Sequence, residues 1–362
     1  MKIILVSLAV ICLNSIDSIF SQDLKYKDGV IIEEFIFEKA PFPSCHASTI
    51  AETKYGLIAA WFGGTYERNP DVGIWISKRR NGKWSDPVEV ANGIVDENTR
   101  FPCWNPVLYQ VPDRELLLFY KVGPSPSGWK GMLMSSDDGG ITWSEPHALP
   151  EGYIGPVKNK PVLLDNGKLI CGSSTEGDGW RVHIEFTNDF GKTWEKVVPV
   201  SNGKTYIAIQ PCILVHENGD LQILCRSKNS MIVESWSTDK GQTWSLLRES
   251  ALPNNNSGID AVSLADGRHL LVYNHVKTPL GAKRGYRTPL NVALSKDGKI
   301  WYAALVLEDS QISRYSYPSV IQSDDGMVHV VYTWRRERIK HVVIDPSKLK
   351  LKKIKDERWP LK

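Results

Sequence analysis

The polar residues of this chain that suit chemistry stand singly and far apart, each beside a short apolar stretch. They are His46, the loop Tyr66-Glu-Arg-Asn-Pro-Asp71 with Arg68 inside it, Trp104-Asn105, Lys158 and Lys160, Arg181-Val-His183, Gln210, Arg226, Asp260, His275, Arg287, Tyr317 and Arg335-Arg336. Arg226 ends the apolar run Leu221-Gln-Ile-Leu-Cys, where an uncompensated charge is costly, so it calls for a ligand or a buried acidic partner. Guanidinium groups grip carboxylates by charge-assisted, bidentate hydrogen bonds, and a histidine and a tyrosine beside such a carboxylate make a general base and acid. Lys158 and Lys160 fall on one face of an extended segment and would add positive potential for a sulfated or carboxylated substrate. Trp104 and Trp129 suit sugar stacking, but with 13 tryptophans in the chain, packing must account for most of them. His183 and His275 read equally well as core histidines bonded to the backbone.

Residues so dispersed need a scaffold that gathers them, and internal repeats supply it. Ser136-Asp-Asp-Gly-Gly-Ile-Thr-Trp143, Thr187-Asn-Asp-Phe-Gly-Lys-Thr-Trp194 and Ser237-Thr-Asp-Lys-Gly-Gln-Thr-Trp244 share the form S/T-x-D-x-G-x-T-W. Eroded copies stand at Arg80-Asn-Gly-Lys-Trp84 and Ser295-Lys-Asp-Gly-Lys-Ile-Trp301, and the five tryptophans lie 59, 51, 50 and 57 residues apart. Such a period suits one four-stranded propeller blade. Between the boxes recurs a second unit, an apolar strand, a turn of the Asp-Gly or Asn-Gly kind, and another apolar strand, at 48–61, 106–120, 161–173, 211–226, 260–274 and 318–334. Six copies predict an all-β, six-bladed β-propeller. The boxes themselves read as structural, since their Asp and Ser/Thr side chains cap a tight turn while the Trp packs between strands.

Residues 1–21 carry Lys2, an apolar stretch from Ile3 to Cys12 and small residues before Gln22, the pattern of a secretory signal peptide and too short for a membrane anchor. The propeller domain is expected over 28–350, followed by a solvated basic tail at 351–362. A formal charge of +3 on 362 residues argues against a nucleic-acid footprint. Cys45, Cys103, Cys171, Cys212 and Cys225 show no CxxC spacing and read as buried thiols. No nucleotide loop, HExxH or EF-hand pattern occurs, so neither cofactor nor metal is implied. A secreted monomer, periplasmic or extracellular, without membrane insertion, is the expectation.

On its Asp-boxes and six-fold repeat the chain resembles the sialidase (neuraminidase) superfamily over nearly the whole mature sequence. In that family three arginines hold the substrate carboxylate, an aspartate is acid/base, and a tyrosine activated by a glutamate is the nucleophile. The resemblance implies that Arg226 and Arg287 are the second and third arginines, Tyr317 the tyrosine and Asp71 the acid/base. It departs from the family where the first arginine would fall, at His46, and where the glutamate would fall, at Gln210. A neutral amide cannot take the tyrosine proton, and a phenol of pKa ~10 is a poor nucleophile at neutral pH. The surviving set, His46 and Tyr317 with Arg226, Arg287, Arg68, Gln210, His183 and Trp104 around the substrate, points to β-elimination on a uronic acid at the non-reducing end of an anionic oligosaccharide. Neutralising the carboxylate stabilises the charge that develops when the adjacent proton leaves. The product would be a 4,5-unsaturated uronic acid, released by a lyase or a dehydratase. The alternatives are an exo-acting hydrolase of sialidase type using Asp71 with Glu67 or another carboxylate, and a glycan-binding propeller without catalysis.

Overall fold

The computed structural model describes residues 27–177, 179–197, 203–282, 285–311 and 314–360; the signal segment 1–21 lies outside them. Six antiparallel sheets follow one another along the chain, and each of the six hairpin units supplies the two innermost strands of one blade. The inner strands are Ser44–Thr53, Cys103–Gln110, Val162–Leu163, Ala208–Val215, Asp260–Ser263 and Tyr315–Gln322 for blades one to six. The inner strands of blades one and two, four and five, five and six, and six and one pack against one another around a central axis. The ring is closed by the N-terminal strand Val30–Phe35, which pairs antiparallel with Arg338–Ile344 and becomes the outer strand of blade six. The core lies between blades, as where Leu270 and Val272 of blade five meet Val330 and Tyr332 of blade six.

The Asp-boxes serve the turn after each third strand. Asp138 accepts from the Thr142 amide at 2.9 Å and the Thr142 hydroxyl at 2.6 Å, and Ser136 Oγ accepts from the Gly140 amide at 2.8 Å. These bonds hold the Asp138 carboxyl well below the usual carboxylate range. Trp194, Trp244 and Trp301 each donate Nε1–H to the carbonyl of the box glycine, Gly191, Gly241 and Gly298. All five cysteines outside the signal segment are buried free thiols.

Most of the basic tail is exposed, but it is docked on the propeller. Lys352–Lys353 adds a fifth strand to blade five beside Trp301–Glu308, and Ile354 and Trp359 pack on that blade's core. His275 Nε2 bonds the Glu357 carbonyl at 2.9 Å. Ile354 and Trp359 are half-buried against that core, while Lys352, Lys353 and Lys355 keep their ammonium groups in water.

Four inner strands carry a bulge near their first residues, and at each bulge one non-glycine residue has positive φ: Ala47 at 57°, Asn105 at 25°, Gln210 at 58° and Tyr317 at 54°. Left-handed backbone costs such residues about 1–3 kcal/mol each, so the surrounding structure must hold it. Bulges re-aim side chains, and here they do so at the end of the axis where the inner strands begin. In three of them the next residue is proline, Pro106, Pro211 and Pro318, which has no N–H to leave unpaired in an interrupted ladder.

Candidate functional site

A cavity of about 540 Å³ opens at that end of the axis, lined by residues from all six blades and including His46, Glu67, Arg68, Glu176, Trp180, Arg226, Lys228, Asn256, Arg287, Tyr317 and Arg336. Tyr317 sits at its centre. The phenol oxygen accepts from Arg226 Nη1 at 2.8 Å and from Gln210 Nε2 at 3.2 Å, and Gln210 Oε1 accepts in turn from Arg226 Nη1 at 3.3 Å. Gly258 lies flat against the ring, where an added Cβ would come within 3.1 Å of Tyr317 Cδ2. The guanidinium carbons of Arg287 and Arg226 stand 5.6 and 5.7 Å from the ring centre.

His46 packs beside Tyr317 with ring centres 4.2 Å apart, and its Nδ1 bonds Thr333 Oγ1 at 2.9 Å. With Nδ1–H donating to Thr333, Nε2 is the basic nitrogen of the ring. Burial pushes the imidazole well below its ordinary value, and the positive fields of Arg336, Arg287, Arg226 and Lys158 push it further. His46 is therefore neutral at neutral pH.

Arg226 is almost fully engaged, since Nε donates to Asn256 Oδ1 at 3.1 Å and Nη2 to the Asn256 carbonyl at 2.6 Å. It offers an incoming carboxylate its charge and one N–H, not the bidentate fork expected from its sequence position. Burial lowers Arg287 to about 10, with Tyr317 acting in the opposite direction and Arg226 and Arg336 adding to the fall. Arg336 brings a third guanidinium into the cavity from the turn after Val328–Trp334 and is steadied by Glu67 at 2.6 Å. A third guanidinium therefore enters the cavity from blade six. Its two neighbours look outward: Arg335 pairs with Glu337, and Arg338 with Glu38. Arg68, at φ 83°, lines the rim. Glu176, to which sequence reasoning gave no role, enters from the end of Leu169–Thr175; burial raises its carboxyl against the opposing fields of Arg226 and Lys228.

Three expected site residues are elsewhere. Asp71 caps an exposed turn, accepting from the Thr65 amide at 3.1 Å and the Thr65 hydroxyl at 2.5 Å, and does not line the cavity. Its six-residue return to Thr65 satisfies the carboxylate locally. Asp71→Asn is expected to leave turnover within about threefold of wild type, with a thermal midpoint lowered by about 2 °C, measured by steady-state kinetics and calorimetry. His183 is buried and bonds Glu185 Oε1 through Nε2 at 2.8 Å, on a third strand facing away from the axis mouth. Trp104 is a core residue, donating Nε1–H to the Gly123 carbonyl at 2.8 Å and packing edge-on against Trp129 and Phe62. In both cases the strand period sends the side chain between sheets.

Comparison with known proteins agrees with this architecture. Solved structures with the same fold include a protein of unknown function from Dyadobacter fermentans (16% identity, 90% of this chain and 100% of that one, TM-score 0.71). A Hadza microbial sialidase matches at 16% identity over 85% of this chain and 66% of its own, with a TM-score of 0.71. The NanB sialidase of Streptococcus pneumoniae matches at 12% identity over 88% of this chain and 71% of its own, with a TM-score of 0.68. At these identities the likeness is one of fold. No curated protein matches the sequence. The model of the BNR repeat-like domain matches residues 56–330, most of the chain, and with its repeats, its six blades and its cavity at the axis the chain belongs to that family as a sialidase-like BNR propeller.

Proposed function

We propose that this chain is a secreted carbohydrate-active enzyme that takes a carboxylated sugar of uronic acid type at the non-reducing end of an anionic oligosaccharide and cleaves it by β-elimination. The observation that carries the reading is the surroundings of the Tyr317 oxygen. Both of its bonded neighbours, Arg226 Nη1 and Gln210 Nε2, are donors. A tyrosine so placed has no carboxylate to take its proton before attack, but it has two donors ready to hold the negative charge left after it gives its proton away. That is the setting of a general acid.

In this mechanism the substrate carboxylate lies among Arg226, Arg287 and Arg336. Their charge delocalises the electron pair released when His46 Nε2 removes the proton from C5. The pair forms the C4–C5 double bond, the C4–O bond breaks, and Tyr317 protonates the departing oxygen. At a non-reducing end C4 carries a free hydroxyl, so the departing group is water and the enzyme a dehydratase; a sugar departs, as from a lyase, only where the uronate is linked through C4 within a chain. Burial depresses His46 most, and three of the four cations that add to it, Arg336, Arg287 and Arg226, are those the carboxylate neutralises, so the base gains strength when substrate is bound. The free enzyme would hold a neutral, weakly basic imidazole.

Hydrolysis is the second reading, favoured by Glu176, a cavity carboxyl raised by burial and suited to protonating a glycosidic oxygen. One experiment separates the readings: the purified protein is incubated with uronate-ended oligosaccharides and sialyllactose while near-ultraviolet absorbance and product mass are followed. Elimination is expected to give rising absorbance and an unsaturated fragment or a loss of one water. Free sialic or uronic acid without absorbance change would establish hydrolysis, and saturable binding without product would leave a binding propeller. Residues 1–21 support export; the mature protein is expected to begin at Gln22, read by intact mass.

A further inference from the structure

In blade three the inner strand is only Val162–Leu163, and the chain before it, residues 154–159, runs through the axis without joining a ladder. Polar side chains anchor it on one side. The buried Glu185 carboxylate accepts from the amides of Ile154 at 3.1 Å and Gly155 at 2.7 Å, and Asn105 Nδ2 donates to the Val157 carbonyl at 3.3 Å. The buried Lys121 ammonium donates to the Pro156 carbonyl. A segment fixed in this way is a rigid support, because leaving a buried polar group without its partner is costly.

On its other side the segment reaches the two residues that meet at the tyrosine oxygen. Lys158 Nζ donates to the carbonyl of Pro318, the residue after Tyr317, to the Ile259 carbonyl at 2.9 Å and to Asn159 Oδ1 at 2.8 Å. Asn159 Nδ2 donates to the Gln210 carbonyl at 3.0 Å. Tyr317 and Gln210 both hang from left-handed backbone, at 54° and 58°. Each is therefore tied, at or next to its strained residue, to adjacent side chains of one axial segment.

We infer that Lys158 and Asn159 are the positioning residues of this site: through the axis they hold the Tyr317 and Gln210 bulges in the conformation that brings the phenol oxygen and the amide together. The inference rests on the proposed function for its kinetic readout only. An ammonium satisfies three acceptors here and a neutral amine at most two, so the hold weakens when Lys158 loses its proton. Burial lowers that proton's pKa to about 8; Asp260 opposes the fall, as does Cys212, while Lys160 and Arg226 add to it. Tyr317 faces the group from blade six, its ring centre 5.9 Å from Nζ. The effect on stability has the opposite sign. Between about pH 8 and the ordinary lysine value the unfolded chain binds a proton that the folded chain has released, so this group's contribution to stability rises with pH. A loss of turnover in that window is not unfolding.

The test compares wild type with Lys158→Met and Asn159→Ala, each checked for cooperative thermal unfolding, and follows the Tyr317 ring resonance in ¹³C-tyrosine-labelled protein, assigned with Tyr317→Phe. Both variants are expected to lose about 100-fold in kcat with KM changed by less than about threefold, as for a misplacement near 1 Å. Wild type is expected to lose turnover through about pH 8, with the Tyr317 resonance shifting over the same range, and Lys158→Met to show neither transition. If wild type turns over no substrate, the functional reading falls, and the resonance alone decides the inference. Should Lys158→Met fail to fold, Asn159→Ala and the wild-type titration still decide it. A folded Asn159→Ala or Lys158→Met with wild-type turnover and an unmoved Tyr317 resonance would overturn it.

Discussion

Replacement of His46 by Gln is expected to lower kcat by about 10²–10⁴-fold, the range contributed by a positioned general base. KM should change little, since three guanidinium groups remain to hold the carboxylate. Glutamine keeps a polar group within reach of Thr333 Oγ1, which His46 Nδ1 contacts at 2.9 Å, so the fold around the Ser44–Thr53 strand should persist. The sign of the pH dependence follows from the same residue. His46 must be unprotonated to act, and burial with four neighbouring cations places its protonation well below 6.5. Turnover should therefore stay high as pH falls through 6.5 and decline only in more acidic solution, measured as kcat/KM against pH. A wild-type acid limb centred at 6.5 or above would remove His46 from the role of base.

For Tyr317→Phe the expected loss is also about 10²–10⁴-fold in kcat, with substrates bearing poor leaving groups affected most. Removing the hydroxyl leaves Arg226 Nη1 bonded to Gln210 Oε1 alone and costs about 1 kcal/mol of stability. The informative companion is Gln210→Glu. A carboxylate 3.2 Å from the phenol oxygen would replace a donor with an acceptor. It would also repel the charge that Tyr317 must carry after giving up its proton. Elimination should fall by at least about 100-fold. If Gln210→Glu instead raised activity, with free acid as product and no ultraviolet chromophore, Tyr317 would be acting as a nucleophile and the hydrolytic reading would hold. Following absorbance and product mass on the same samples separates the two outcomes.

Through the resemblance Asp71 is the expected acid/base residue, in a polar loop. A neighbouring hydroxyl and amide at Thr65 satisfy it instead, and spacing cannot register such a local partner. By residue type Trp104 suits sugar stacking and His183 either a site or a core, and the strand period buries both between sheets. Arg336 stood in a basic run, Arg335-Arg336-Glu337-Arg338, that reads as surface; only one of its three arginines turns inward. A signal for the bulges was present and unused: Asn105-Pro106, Gln210-Pro211 and Tyr317-Pro318 repeat a polar or aromatic residue before proline at the start of an inner strand.

By itself the sequence determined the six-bladed ring. Asp-box turns and hairpins are closed by bonds among residues a few positions apart, and their period counts the blades. It also determined that Arg226, Arg287, His46 and Tyr317 would be unusual, since charged or reactive side chains beside apolar strands need a reason to be there. Tertiary structure alone decided which of them meet. Ring closure sets blade one against blade six and so packs His46 against Tyr317, 271 positions apart in the sequence. The axial crossing of residues 154–159 decides how Tyr317 and Gln210 are held. Those contacts depend on the rotation of one sheet against another and on strained backbone supported from a third, quantities to which no local pattern of residues is sensitive.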